Sequence, residues 1–192
     1  DIFIKPSGVD LNSIKASDIS KVNLDGLPIS GLKPSVDTPS HIELYEGFTG
    51  LGSVVHTHSK YATVFAQLNK PIPCLGTTHA DYFKGPVPVV PIPSWNDKEP
   101  YEKTTGKAII SYFKKNNLNH FDISAALVSN HGVFTWGETI EKALERAYVL
   151  ELIAEMAYLT LAIRPLAEEL HDKILEKHFE RKNGNGKYYG QG

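Results

Sequence analysis

The chain has 192 residues, of which 41% are hydrophobic and 10% aromatic, enough apolar side chain for a substantial core. The formal net charge is −2, so neither nucleic acid nor an anionic membrane is expected as a partner. No apolar run approaches the roughly 20 residues that a membrane-spanning helix needs. Cys74 is the single cysteine and no signal segment opens the sequence, so we expect a cytoplasmic protein.

Short runs typical of β-strands alternate with helical runs along the whole sequence, which predicts one α/β domain over residues 1–192. The strand runs are rich in Val, Ile and aromatic side chains. They lie at residues 2–5, 19–22, 52–57, 87–91, 125–129 and 133–136. Four prolines in residues 86–93 exclude a central strand, so an edge strand that runs into a loop is predicted there.

Helices are predicted where apolar side chains recur every three or four residues or where a capping residue precedes the run. The first begins at Thr38-Pro39, the second covers residues 59–68 and the third residues 103–115. The strongest periodicity covers residues 138–164 and ends at Pro165, which we predict to start a last helix reaching Lys182. No Gly-rich phosphate loop follows a strand, so no nucleotide cofactor is expected.

The strongest local signal for chemistry is Val54-Val-His-Thr-His58. Two histidines two positions apart on a strand project from the same face, ~6.6 Å apart along it, so both imidazoles can reach one ion. By itself, the pattern is equally typical of a metal site and of two polar residues on a solvated strand face. Asn130-His131-Gly132, just beyond the strand at residues 125–129, offers a third imidazole in a tight turn.

Three neutral imidazoles without a thiolate are typical of a catalytic zinc site, which keeps one coordination position for substrate or water. Cys74 has no second cysteine with which to build a structural zinc cage. Mn²⁺ and Co²⁺ suit the same donors. We therefore expect a divalent ion at His56, His58 and His131, acting as a Lewis acid.

Two segments carry carboxylates that are candidates for acid–base chemistry. Asp37 lies in Ser35-Val-Asp-Thr-Pro39, and Asp81 lies in Gly76-Thr-Thr-His-Ala-Asp-Tyr-Phe83. From composition alone, each is more typical of a capping or turn residue. Lys5-Pro-Ser-Gly8 and the amides near Ser35 are candidate anion-binding turns, although a plain turn is the simpler interpretation.

Taken together, these motifs resemble the L-ribulose-5-phosphate 4-epimerases of the class II aldolase/epimerase superfamily. The matching segments follow the family's order over essentially the whole chain. They are Lys5-Pro-Ser-Gly8, Pro34-Ser-Val-Asp-Thr-Pro39, His56-Thr-His58, Gly76-Thr-Thr-His-Ala-Asp-Tyr-Phe83, Asn130-His-Gly132 and Tyr188-Tyr-Gly-Gln191. The segment at residues 76–83 and the tail are far more specific than the His-x-His pair.

The resemblance implies a three-layer α/β/α sandwich around a mainly antiparallel sheet, and a C4 homotetramer with sites between subunits. It implies Zn²⁺ held by His56, His58 and His131, with Asp37 also at the metal. By the same resemblance, Asp81 and Tyr189 are the acid–base pair and His178 lies near them. The residues that would bind the sugar-phosphate substrate are Lys5, Ser7, Gly8, Ser35 and Val36.

The activity implied is the interconversion of L-ribulose 5-phosphate and D-xylulose 5-phosphate by cleavage of the C3–C4 bond, rotation of the aldehyde and re-addition. Three alternatives stay open. A class II sugar-phosphate aldolase would carry a glutamate where Asp37 stands. A non-catalytic module like the adducin head would lack the metal histidines. An unrelated metallohydrolase would use a zinc-bound hydroxide.

The chain departs from the family's pattern at two points. Val36 stands where the phosphate-binding loop usually has a second serine, so a hydroxyl is lost while the backbone amide is kept. The family's leading helix and its Trp-Gly-Asn segment do not precede Asp1. We therefore expect the sequence to lack its N-terminal helix and first strand segment.

Overall fold

The computed structural model describes residues 1–92, 98–184 and 187–188. Its contacts group the chain into two compact units, which are described separately. The first comprises Asp1–Thr49 and Ile92–Ile110, and the second comprises Gly50–Pro91 and Ser111–Gly192. The expectation that residues 1–192 form one domain stays a prediction. Within the described ranges, no helix is long and apolar enough to cross a membrane.

The first unit contains a three-stranded antiparallel sheet and helix α1 (Thr38–Gly47). The strands are β1 (Ile2–Ile4), β2 (Ser20–Val22) and β3 (Pro28–Ser30), in the order β1-β2-β3. Alternate side chains of β1 and β2 point to the same side, where Ile2 and Val22 pack with Ile42 of α1. Pro39 lies in the first turn of α1, where its missing N–H costs no helical hydrogen bond.

Helix α4 (Tyr101–Lys115) contributes residues 101–110 to the first unit. There Gly106 packs directly against α1. A Cβ atom at Gly106 would lie 2.6 Å from the Cβ of Glu43 and 2.9 Å from the carbonyl oxygen of Ser40. The missing side chain therefore lets the two helices approach closely.

The second unit is built on a four-stranded sheet. Its strands are β4 (Ser53–Thr57), β5 (Val89–Val90), β6 (Ala125–Val128) and β7 (Val133–Gly137), in the order β4-β7-β6-β5. The β4–β7 and β6–β7 pairs are antiparallel and the β5–β6 pair is parallel. Every residue of β6 and β7 is buried, as expected for central strands covered on both faces. The proline-flanked β5 lies at the edge, as predicted.

Helices cover both faces of this sheet. Helices α2 (Lys60–Gln67) and α5 (Ile140–Ile163) pack on one face, where Thr135 of β7 donates a hydrogen bond to the carbonyl of Ala143 in α5. Trp136 projects from the opposite face, since side chains alternate along a strand. Its ring meets that of Phe113, near the end of α4, with centroids 5.4 Å apart.

The last predicted helix begins later than the sequence suggested. Residues 164–171 are not helical, and helix α6 (Asp172–Asn183) begins after His171, whose ring accepts a hydrogen bond from the N–H of Lys173. Pro165 therefore does not start α6. Instead the N–H of Leu170 donates to the carbonyl of Cys74 at 2.7 Å, which holds this segment against another part of the chain.

At the first helix, Asp37 rather than Thr38 is the N-cap residue. The sequence also missed three short elements, which are a 3-10 helix at Ala16–Asp18, strand β3 and helix α3 (Thr77–Ala80).

Candidate metal centre and active site

Three histidines of the second unit form one cluster. His56 lies on β4, His58 follows that strand, and His131 lies in the turn between β6 and β7. One nitrogen from each imidazole lies within 4.8 Å of the other two. The ring centroids are 4.9–5.1 Å apart and the rings meet edge to face. The sequence-based prediction that these imidazoles come together is therefore confirmed, and the cluster could bind a metal ion.

Local backbone geometry brings His131 to the strand pair. Asn130 takes the left-handed conformation with φ of 55°. The turn is closed by two backbone bonds, from the N–H of His131 to the carbonyl of Val128 at 3.0 Å and from the N–H of Val128 to the carbonyl of Gly132 at 2.8 Å. A Cβ atom on Gly132 would lie 2.7 Å from Cδ2 of His58 and 2.7 Å from the carbonyl oxygen of Thr57. A side chain at this position would therefore force the turn or the ring of His58 to move.

The ring of His56 is held from two sides. Its Nδ1 lies 2.9 Å from the carbonyl oxygen of Val133, and its plane stacks on Phe134 at a centroid distance of 4.2 Å. The N–H donated to that carbonyl fixes a tautomer with its lone pair on Nε2. This kind of backbone support is what orients histidines that ligate metals.

The connection after His58 is fixed by a carboxylate from α5. Glu151 accepts hydrogen bonds from the N–H groups of Tyr61 at 2.9 Å and Ala62 at 3.1 Å, in the first turn of α2. Ser59, the N-cap residue, makes no side-chain capping bond. Glu151 therefore performs the capping role from a distance of 90 residues, a contact that no local sequence pattern could reveal.

A second polar cluster is centred on Asp81, at the end of α3. Its Oδ1 lies 3.0 Å from Nδ1 of His178, and Arg181 donates from Nε to Oδ1 at 3.2 Å and from Nη2 to Oδ2 at 3.1 Å. Asn183 donates to the backbone carbonyl of Asp81 at 2.9 Å. The structure thus brings together Asp81 and His178, as predicted, and adds Arg181 and Asn183, which the sequence interpretation missed. For Arg181 the available signal was its spacing from His178 on α6, since residues three apart share a helix face.

Tyr82, next to Asp81, has its hydroxyl group and its ring engaged by charged side chains. Its hydroxyl donates to Oε1 of Glu145 at 3.1 Å. Burial, followed by the negative charge of Glu145, raises the pKa of Tyr82 to about 12. The ring also has Lys182 Nζ 3.3 Å from its centroid and the Arg146 guanidinium at 5.3 Å. A phenol held in this way stays protonated near neutral pH and serves as a packing surface for cations.

The predicted phosphate-binding turns lie side by side in the first unit. Pro6 and Pro34 form an antiparallel bridge, and the N–H of Ser7 donates to the carbonyl of Lys33 at 2.9 Å. Gly8 has a φ of 72°, in the left-handed region that glycine favours. The neighbouring Lys5 is exposed. The role of these turns in binding phosphate stays a prediction.

Asp37 and its neighbours are also described within the first unit. The Ser35 hydroxyl donates to Oδ2 of Asp37 at 3.2 Å, and the N–H of Asp37 donates back to that hydroxyl oxygen. Val36 projects outward and is 62% exposed. The predicted place of Asp37 at the metal stays a prediction, and Tyr189 lies outside the described residues.

Comparison with known proteins assigns the family. Residues 1–158 match the class II aldolase and adducin N-terminal domain. The chain belongs to this family. It is 44% identical over 194 residues to the probable L-ribulose-5-phosphate 4-epimerase of Mycoplasma pneumoniae, covering 98% of this chain and 79% of that protein. It is 41% identical over 192 residues to the L-ribulose-5-phosphate 4-epimerase of Salmonella paratyphi C, and the match covers 99% of this chain and 83% of that protein.

Solved structures agree with this assignment. An L-fuculose 1-phosphate aldolase superposes with a TM-score of 0.76 at 26% identity, covering 93% of this chain and 78% of that one. A putative aldolase/epimerase/decarboxylase from Escherichia coli gives a TM-score of 0.69 at 27% identity, and the match covers 90% of this chain and 78% of that one. The class II aldolase-like α/β fold predicted from the sequence is therefore confirmed.

Proposed function

We propose that this class II aldolase-family chain is a metal-dependent epimerase that interconverts L-ribulose 5-phosphate and D-xylulose 5-phosphate. The observation that carries the proposal is the 44% identity, over 98% of the chain, to a protein with that name. The three-histidine cluster and the Asp81–His178 pair support it, because they supply the two kinds of group that the chemistry needs.

The residues present fit a divalent ion. His56, His58 and His131 offer three neutral nitrogen donors within 4.8 Å of one another, a set suited to Zn²⁺ and also to Mn²⁺ or Co²⁺. When bound, such an ion supplies a Lewis acid for the carbonyl and hydroxyl oxygens of a keto sugar. We include Asp37 in this assignment on the family resemblance of its segment.

The substrate's chemistry explains why acid–base groups are needed as well. C4 is not next to the ketone of a 2-ketopentose phosphate, so its hydrogen is not acidic and direct deprotonation cannot invert that centre. Cleavage of C3–C4 releases an aldehyde that can turn its other face before the bond re-forms. A base must take the proton of the C4 hydroxyl during cleavage, and an acid must return a proton on the opposite face.

We assign one of these proton-transfer roles to Asp81 and the other to Tyr189. Asp81 is oriented by hydrogen bonds from Arg181 to both of its carboxylate oxygens, and the ring of His178 contacts the same carboxylate. His178 is thereby placed to exchange a proton with Asp81. Tyr189 is assigned from the resemblance of the Tyr-Tyr-Gly-Gln tail alone.

We place the substrate phosphate at the two turns of the first unit, with contacts from Lys5, Ser7, Gly8, Ser35 and Val36. The adjacency of the turns supports this, since the bridge between Pro6 and Pro34 brings the segments of Lys5 and Ser35 next to each other. At Val36 only the backbone amide can contribute.

We further propose a cytoplasmic homotetramer with sites between subunits. Large apolar side chains on and just after α5 are unusually exposed, including Tyr148 at 74%, Ile163 at 87% and Leu166 at 86%. Apolar surface of this kind is typical of protein–protein interfaces.

The decisive assay follows conversion of L-ribulose 5-phosphate to D-xylulose 5-phosphate by purified protein loaded with Zn²⁺. We expect interconversion without net accumulation of an aldehyde, and loss of turnover in His58→Asn but not in His120→Asn, a histidine outside the cluster. Accumulating glycolaldehyde phosphate, or cleavage of L-fuculose 1-phosphate, would instead support the aldolase alternative that the structural likeness favours. Absence of all these activities in metal-loaded protein would contradict the proposal.

A further inference from the structure

A cavity of about 230 Å³ lies in the second unit at the end of the sheet away from the histidine cluster. It is bordered by Ser124 and Trp136 of the β6–β7 ladder, by α5 and by α6. The histidine turn joins the same two strands at their other end, beyond Val128, which is four residues and roughly 13 Å along the strand from Ser124. The cavity is therefore separate from the candidate metal centre.

Cations outnumber acids around this cavity. The basic residues that line it are Lys142, Arg146, Lys182 and Lys187, and the acidic ones are Asp122 and Glu138. Glu145, next to the lining, lies 3.3 Å from Lys142 and 4.0 Å from Lys182. The local charge is thus positive although the whole chain carries −2.

Arg146 is a partly buried lining cation without a close counter-ion. Among the described residues, no carboxylate lies within 4.0 Å of its guanidinium, which contacts Oδ1 of Asn183 at 3.5 Å and the Tyr82 ring at 5.3 Å. Burial lowers the pKa of Arg146, and the more distant Glu145 and Glu138 only partly offset this. A half-buried guanidinium in this setting gains from a bound anion.

Two further donors border the same space. The Lys182 side chain is only 13% exposed, and burial lowers its pKa. Ser124 is 2% exposed, and within the described part of the chain its hydroxyl oxygen has no hydrogen-bond partner. A buried hydroxyl without a partner is costly, so this group also gains from a ligand that accepts a hydrogen bond.

We propose that this cavity binds a small phosphate-bearing anion, either inorganic phosphate or a phosphate monoester, through Arg146, Lys182 and Ser124. A guanidinium binds two oxygens of a phosphate in parallel, while an ammonium and a hydroxyl can each contact another. The site is independent of the proposed function, which places the substrate phosphate at the turns around Lys5 and Ser35.

Binding here would act on the Asp81 cluster through α6. Arg146 belongs to α5 and Lys182 to α6, so one anion would link the two helices. His178 and Arg181, which contact Asp81, lie on the same α6. An anion bound only by the folded protein raises its stability in proportion to the logarithm of ligand concentration.

Calorimetric titration with inorganic phosphate, against sodium chloride at matched ionic strength, tests the proposal. We expect saturable binding that is weakened about ten-fold or more in Arg146→Gln, because a charge-assisted hydrogen bond is lost. Arg164→Gln, at an exposed arginine outside the cavity, should bind like the wild type. Lys5→Gln should also keep the Arg146-dependent binding, which separates this site from the substrate's phosphate site.

Two additions keep the test decisive. Ser124→Ala is a small change that should preserve folding and weaken phosphate binding several-fold, so it replaces Arg146→Gln if that variant is unfolded by circular dichroism. Glycerol 1-phosphate, titrated in parallel, identifies the source: tighter binding than phosphate indicates a phosphorylated metabolite, and weaker binding indicates free phosphate. No saturable phosphate binding, or binding unchanged in both variants, would overturn the proposal whether or not the chain is an epimerase.

Discussion

The Nδ1 atom of His56 lies 2.9 Å from the carbonyl oxygen of Val133, across the β4–β7 strand pair. The register of that pair places His56 opposite Phe134, on which its ring stacks. The ladder that builds the sheet therefore also sets the tautomer and plane of a candidate ligand. The conformational entropy of the His56 side chain is therefore lost when the protein folds and does not weaken metal binding.

The histidine cluster predicts one divalent ion per chain. His131→Asn should lower the affinity for Zn²⁺ by at least the roughly 10–100-fold that loss of a supporting group costs, with the fold kept because the residue lies in a turn. Elemental analysis after dialysis, together with circular dichroism, measures both effects. His120→Asn is the matched control. Wild-type protein that binds no Zn²⁺, Mn²⁺ or Co²⁺ would refute the site.

The close approach of Gly132 to His58 gives a second prediction. In Gly132→Ala the added methyl group would meet Cδ2 of His58 and the carbonyl of Thr57, so the turn or the ring must move. We expect a loss of about 1–3 kcal/mol in the free energy of unfolding and weaker metal binding. Gly76→Ala is the control, because a Cβ there meets nothing within 4 Å. Equal metal affinity in the two variants would show that this contact does not position His58.

The sequence predicted the histidine cluster because both of its parts are local. His56 and His58 obey the two-residue period of a strand, and His131 follows an apolar run that ends in a glycine turn. The contacts of Arg181 with Asp81 and of Glu151 with α2 span 100 and 90 residues, so no periodicity encodes them. The error at Pro165 has a similar origin, since a backbone bond from Leu170 to the distant Cys74 outweighs the local preference for a helix.

The Asp81–Arg181 pair should contribute measurably to stability. Both side chains are mostly buried, at 13% and 23% exposure, and the contact is bidentate. A double-mutant cycle with Asp81→Asn and Arg181→Gln should give a coupling of about 1.5–3 kcal/mol in urea unfolding. The more exposed Asp1–Lys21 pair, 2.9 Å apart, is the comparison and should give about 0.2–1 kcal/mol. Similar couplings for both pairs would mean that burial adds nothing at Asp81.

Buried His79 predicts a pH-dependent component of stability. Burial lowers the pKa of His79 from 6.5 to about 4, although its hydrogen bond to the carbonyl of Gly85 opposes this shift. The unfolded chain therefore binds a proton between pH 6.5 and 4 that the folded chain does not. Stability from this residue is fully present above pH 6.5 and falls by about 3 kcal/mol as the pH drops to 4.

Urea unfolding of the wild type and His79→Gln at several pH values checks this component. Glutamine keeps an N–H donor for Gly85 but does not titrate, so the variant should lose less stability than the wild type between pH 6.5 and 4. All other groups titrate in both proteins, and their contributions cancel in the difference. Parallel curves over that range would show that His79 is not the source of the pH dependence.

The proposed sharing of sites between subunits predicts complementation between two inactive variants. His58→Asn should inactivate through the metal site and Tyr189→Phe through the lost phenol, so each homotetramer should be nearly inactive. Unfolded subunits of both, mixed in equal amounts and refolded together, should regain activity wherever a chain with an intact metal site meets a neighbour with an intact tyrosine. In a cyclic ring assembled at random, roughly a quarter of the interfaces have that combination. Recovery near a quarter of wild-type activity therefore supports a shared site, whereas folded hybrids that regain none would place Tyr189 in its own subunit's site or in no site.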